Sequence, residues 1–215
     1  MTGLPVHPHH LIPKERIGNV IDAIYAFSMT LLVTTISVPP KYLHEEVAEP
    51  VQDIIANVLP DILHYFIAFI ILALFWYFEH QRFRHLQHLD RPLLCFNIAS
   101  LAFVCLIPFT TNVAGDFPYD FFGSMLFELN ILVIGMIAFA QWIYIRSRGS
   151  SLAPHLDAPW IRRELQWGLV FPALALIGLA LAFLRQPGSS SIFLLAPFIM
   201  AFLFWNDPVK RVPTG

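Results

Sequence analysis

Arg16-Ile-Gly-Asn-Val-Ile-Asp22-Ala-Ile-Tyr-Ala-Phe27-Ser-Met-Thr30-Leu31-Leu-Val-Thr34-Thr-Ile36 decides the fold class of this 215-residue chain. At about 1.5 Å per residue, such a run crosses a hydrocarbon core of about 30 Å as one helix. Yet it carries a carboxylate, Asp22, and the hydroxyls of Ser28, Thr30, Thr34 and Thr35. Lipid penalises such groups, so their side of the helix is expected to meet protein or water. A polar seam on the first membrane helix marks the place to look for an ion pathway.

Composition points the same way. The chain is 57% hydrophobic and 13% charged, with a mean hydropathy of +0.63. Soluble domains carry about 25% charged residues. The polar stretches are all short, so one membrane domain is expected, residues 16–206, between a tail of residues 1–15 and a tail of residues 207–215. The first sixteen residues are polar and include His7, His9, His10, Lys14 and Arg16. The apolar run after them is too long for a signal h-region, and no small-residue cleavage site follows it, so the first helix is expected to stay in the mature protein. His7, His9 and His10 read as a tail and not as a metal site. Cys95 and Cys105 are ten residues apart in one apolar run. On a helix that is about 15 Å, beyond disulfide reach, so both read as apolar packing residues.

Six apolar stretches are candidate spans: Ile17–Val38, closed by Pro39-Pro40; Ile54–Phe78; Leu93–Val113; Phe121–Ile145; Leu165–Leu184, stopped by Arg185 and Pro187-Gly188; and the short Ile192–Trp205. With the N-terminus in the cytoplasm, the inner segments hold Lys14, Arg16, Arg82, Arg84, Arg91, Arg146, Arg148, Arg162, Arg163, Lys210 and Arg211. Only Lys41 and Arg185 fall outside. This asymmetry predicts six helices with both termini inside. The outer segments are acidic, with Glu45, Glu46, Glu49, Asp53, Asp61, Asp116 and Asp120, and such loops beside a narrow entrance would concentrate cations.

Four motifs in order then point to a family. Arg16 and Asp22 fit an Arg-x-x-x-Phe-Ser-Asp pattern in which Val20 and Ile21 replace the Phe and Ser. Trp76-Tyr-Phe-Glu-His80 supplies a Trp and a His on the second helix. Asp90-Arg-Pro-Leu-Leu-Cys-Phe-Asn97 opens the third, and Pro108-Phe-Thr110 lies near its end. Residues 16–113 thereby resemble the transmembrane protein 175 family of potassium channels, in its short single-repeat form. The resemblance implies a homotetramer with six helices per subunit, a pore lined by four copies of helix 1, potassium as permeant ion, and no cofactor. No segment resembles the Thr-Val-Gly-Tyr-Gly carbonyl filter of ordinary potassium channels.

A helix facing an axis presents residues at i, i+3, i+4 and i+7, the spacing of Phe27, Thr30, Leu31 and Thr34. By position in the family, Phe27 and Leu31 are apolar constrictions that gate by dewetting, and Thr30 is a hydroxyl ring that replaces part of an ion's hydration. Phe27 is larger than the family's usual aliphatic residue, and Thr34 is polar where the family is apolar. The competing account is that this face packs on neighbouring helices, its hydroxyls bonding the preceding turn.

Arg16 and Asp22 are six apart and not neighbours on one face. A network of Asp22 or Arg16 with Trp76, His80 and Asn97 is expected to lock helices 1 to 3, in a structural and gating role. Glu128 is expected to bond Asn130, His64 or Tyr65, and with His64 it is the only mid-membrane pair that would serve a proton-coupled transporter. Trp76, Trp142, Trp160, Trp167 and Trp205 read as an interfacial belt. No His-Glu-x-x-His or Gly-x-Ser-x-Gly occurs, so no enzyme is expected. The expected partners are the bilayer, potassium ions and copies of the same chain, with no nucleic acid. The expected location is the cell membrane of a prokaryote.

Overall fold

The structure is a computed structural model that describes residues 14–36, 51–117, 120–148, 152–153, 156, 158–186 and 188–205, apart from the side chains of Asp53, Ile54, Asn57 and Phe204. Both expected tails lie outside the described residues, apart from Lys14 and Glu15. So do Pro39-Pro40, Lys41, the loop acids Glu45, Glu46 and Glu49, and the three N-terminal histidines.

Among the described residues all regular structure is helical. Helix α1 is Lys14–Leu31 and tightens into a 3-10 turn at Leu32–Thr35. There follow α2 (Val51–His85), α3 (Arg91–Asp116), α4 (Phe121–Arg148), α5 (Ala158–Gly168) and α6 (Val170–Phe183). A 3-10 segment, Ser189–Leu195, leads into α7 (Ala196–Trp205). Five stretches are long and apolar enough to cross a membrane: Lys14–Thr35, Val58–His85, Arg91–Asp116, Phe121–Arg148 and Pro159–Phe183. The sixth expected span is a shorter apolar helix, Ser189–Leu203. Its first seven residues wind as 3-10, and ten α-helical residues reach only about 15 Å.

Local chemistry sets the element ends. Asp90 caps α3 by accepting from the Leu93 N–H at 3.1 Å, and Pro92 occupies a first-turn position where no N–H is missed. The fifth stretch is broken after Gly168. Pro172 lies four residues on, so it cannot donate to the Gly168 carbonyl, and its ring crowds that carbonyl. Leu169 N–H turns instead to Gln166 at 3.3 Å, and α6 restarts at Val170. The α6 end wraps closed: Arg185 takes a left-handed φ of 55°, and the Gln186 N–H reaches back to Leu181 at 3.0 Å.

The core lies among α1 to α4 and α6. Helix α1 buries Ile21, Tyr25, Ser28, Leu32 and Thr35, a stripe at alternating steps of four and three. It meets Ile67, Ile71, Leu72 and Phe75 of α2, Val104 and Ile107 of α3, and Phe127, Ile131 and Ile134 of α4 within one hydrophobic cluster. Cys95 and Cys105 are free and exposed, so within the subunit they do not pack in this core: their positions on α3 face away from it. Trp142 and Trp167 depart from the interfacial-belt reading too. Both are buried, with guanidinium groups over their rings, Arg82 at 5.6 Å and Arg163 at 4.8 Å.

Helix α6 approaches α4 through glycine. A Cβ at Gly178 would sit 2.9 Å from the Glu128 carboxyl carbon. Gly178→Ala is therefore expected to cost about 1–3 kcal/mol of stability, read as a lowered melting temperature of the detergent-solubilised chain. An unchanged melting temperature would show that the two helices are further apart than described.

Candidate ion pathway and its supporting network

The stripe that α1 buries leaves the opposite face without partners inside the subunit. Asn19, Ala23, Ala26, Phe27, Thr30, Val33 and Thr34 are exposed there, Phe27 by 63%. Leu31, expected on the same face, is half-buried at its margin. The exposed face centres on Asn19, Ala23 and Thr30, with Phe27 and Thr34 to one side. Asn19 and Ala23 are absent from the expected pore positions, although they lie two turns and one turn below Phe27.

The threonine hydroxyls bond within α1. Thr30 donates to the Phe27 carbonyl at 2.8 Å, Thr34 to Leu31 at 2.7 Å and Thr35 to Leu32 at 2.8 Å. Such back-bonding bends and tightens a helix, and it coincides here with the 3-10 turn. It also uses each hydroxyl's proton while leaving oxygen lone pairs to accept from water or to coordinate a cation.

Helix α2 meets the other side of α1. Trp76 Nε1 donates to Asp22 Oδ1 at 2.8 Å, across 54 residues of chain. His80, one turn on, lies against the Trp76 ring, with centroids 5.7 Å apart. Arg16 is exposed and makes no hydrogen bond or ion pair with a described residue of the subunit. Trp76→Phe is expected to lose this tie and to cost about 1 kcal/mol, measured by thermal denaturation. Asp22→Asn keeps an oxygen acceptor and should cost less; the reverse order would sink the assignment.

Asn97 does not join Asp22, as the sequence reading expected. It is buried on α3, where it donates to the Leu93 carbonyl at 2.9 Å and accepts from Gln141 Nε2 at 3.0 Å. Gln141 Oε1 in turn accepts from Arg82 Nη1, and Arg82 also pairs with Glu79 at 3.0 Å. A second network thus runs Glu79–Arg82–Gln141–Asn97 through α2, α4 and α3. All four residues are at most 5% exposed. Arg82 had read as a flanking charge, and Gln141 gave one signal, an amide inside an apolar helix. Asp90, besides capping α3, accepts from the Tyr144 hydroxyl of α4.

Glu128 is fully buried, and its partner is Ser189 of the 3-10 segment, not Asn130, His64 or Tyr65. Asn130 donates instead to the Phe103 carbonyl at 3.2 Å. His64 Nε2 lies 3.1 Å from the hydroxyl of the adjacent Ser190. Glu128 and His64 therefore grip neighbouring residues of one segment without touching each other.

Residues 16–108 match the family model described as endosomal/lysosomal potassium channel TMEM175. The chain is 27% identical over 209 residues to the endosomal/lysosomal proton channel TMEM175 of Bos taurus, covering 91% of this chain and 43% of that one. It thus spans less than half the length of that relative. A potassium channel of Chamaesiphon minutus is 23% identical over 175 residues, 79% of this chain and 84% of the other. The fold matches the crystal structure of a lysosomal potassium-selective channel TMEM175 homolog from the same organism, with a TM-score of 0.73 and 21% identity over 88% of this chain and 97% of that one. The chain is an integral membrane protein whose residues 16–108 match the TMEM175 family model and whose fold is that of a TMEM175 homolog.

Proposed function

We propose that this chain is one subunit of a passive cation channel that favours potassium, with four copies arranged so that their α1 helices line a central pore. One observation carries the reading: the exposed face of α1 holds Asn19, Thr30 and Thr34 and has no partner within the subunit. Lipid would leave the Asn19 amide unsatisfied, and the Thr30 and Thr34 oxygens, whose protons are already donated within α1, gain further partners only from water or a cation. Phe27 and Leu31 form the apolar collars that dewet when closed, and the Thr30 oxygens replace part of a potassium ion's hydration. The Asp22–Trp76 bond, with His80 stacked on it, sets how α1 leans on α2, while Asn97 anchors α3 to α4. Arg16 lies at the mouth, at the start of α1.

Six helices per subunit, with the short Ser189–Leu203 as the last, put both termini in the cytoplasm, and the tails flank one channel domain. Local bilayer thinning accommodates the short helix. In a prokaryote the site is the cell membrane. The names of the relatives support cation permeation, that of the Chamaesiphon minutus protein potassium and that of the bovine protein protons.

The test is single-channel recording from the purified, reconstituted chain in opposed potassium and sodium gradients. Discrete currents that reverse toward the potassium equilibrium potential are expected. Silent bilayers would instead indicate a non-conducting structural homologue. Saturable flux coupled to a proton gradient would favour a transporter built on buried Glu128, the one acid held inside α4.

A further inference from the structure

We infer that each subunit holds an ordered water molecule in an interior site behind α1, bound by the Glu79–Arg82 pair and separate from the axial pore. A cavity lies between α2, α4 and the α5–α6 break. Tyr25 of α1, Phe75, Glu79 and Arg82 of α2, and Trp142 of α4 are among the residues lining it. It leaves about 20 Å³ for the centres of water molecules. One water needs about 10–15 Å³ by that measure and two to four polar partners.

The polar partners are present. Arg82 and Glu79 are 2% and 5% exposed. Their mutual bond and the Arg82–Gln141 bond use only part of their capacity. Glu79 Oε1 and Arg82 Nε are buried with no hydrogen-bond partner among the described residues. One is an acceptor and the other a donor, so one water can serve both, donating to the carboxylate and accepting from the guanidinium. Leaving both groups unserved would cost several kilocalories per mole in an apolar interior. Ser100 of α3 also lines the cavity and supplies a hydroxyl as a further partner. The ligand is water: the cavity's size admits nothing larger, and the guanidinium beside the carboxylate disfavours a metal cation.

The site does not depend on the conduction reading, because Tyr25 belongs to the buried stripe of α1, opposite the exposed face. Its role is to complete the hydrogen bonding of a buried ion pair, so that Arg82 holds Gln141, and through it α3, without an orphaned group.

X-ray hydroxyl-radical footprinting of the full chain in detergent tests this, since bound water activated in place oxidises neighbouring side chains. Phe75 and Phe171 line the cavity, and Phe127 and Phe193 are equally buried elsewhere. The first pair is expected to be labelled at least threefold faster than the second, and Ala138→Leu, which fills the cavity, should abolish the difference. Equal labelling of the two pairs in the unaltered chain would overturn the site, as would an Ala138→Leu variant that folds and labels unchanged. Should Ala138→Leu not fold, the unaltered chain decides alone, with a density map of the assembly: a peak within hydrogen-bond reach of Glu79 Oε1 and Arg82 Nε supports the site, and direct protein partners for both atoms refute it.

Discussion

Phe27→Ala should raise cation leak through the reconstituted protein by about tenfold. Phe27 is 63% exposed on the face of α1 that has no partner within the subunit, and the proposed assembly brings four copies together at one level. A collar of phenyl rings expels water and raises the barrier to a hydrated ion; methyl groups leave a wider and wetter opening. A tenfold rise corresponds to a barrier lowered by about 1.4 kcal/mol, modest for four rings removed at once. Liposome flux with a potassium-sensitive dye reads the effect. Unchanged or reduced flux at equal protein incorporation would mean that Phe27 does not face the axis.

The largest loss of stability is expected from Arg82→Met, at about 3–5 kcal/mol. It strands the buried carboxylate of Glu79 and removes the donor to Gln141, so α2 loses its polar link to α4. The double variant Glu79→Leu with Arg82→Met removes both charges and should recover much of that loss, because an apolar pair of similar volume needs no partners. Equilibrium unfolding in mixed micelles compares the three proteins. If the double variant were no more stable than Arg82→Met alone, the cost would lie in what both variants lose, the guanidinium's packing over Trp142 and its bond to Gln141, and not in the stranded charge.

Helices α1 to α4 could be read from the sequence because each lies in an apolar stretch long enough to cross a bilayer, α1 together with its 3-10 turn, and the ends of α3 and α4 fall within a few residues of expectation. The break in the fifth stretch was hidden by uniform hydropathy. Pro172 acts on a carbonyl four residues earlier, and no average over a window registers that. The shared face of Phe27, Thr30 and Thr34 was visible because helical spacing is a local property. Asn97's partner was not: Gln141 lies 44 residues away on another helix, and nothing in either local pattern encodes the pairing. Arg82 had the look of an end-of-span charge, since one residue in a hydrophobic flank cannot reveal whether it turns to water or to a buried acid.

The interruption between Gly168 and Val170 has a mechanical outcome. A continuous rod would transmit any tilt of its polar end to its lipid-soluble end. Here α5, with its arginines and tryptophans, is jointed to the wholly apolar α6. Flexing at that joint would let thinning or stretching of the surrounding leaflet be taken up there, so that α6 would keep its seat against α4 while the headgroup region shifted around it.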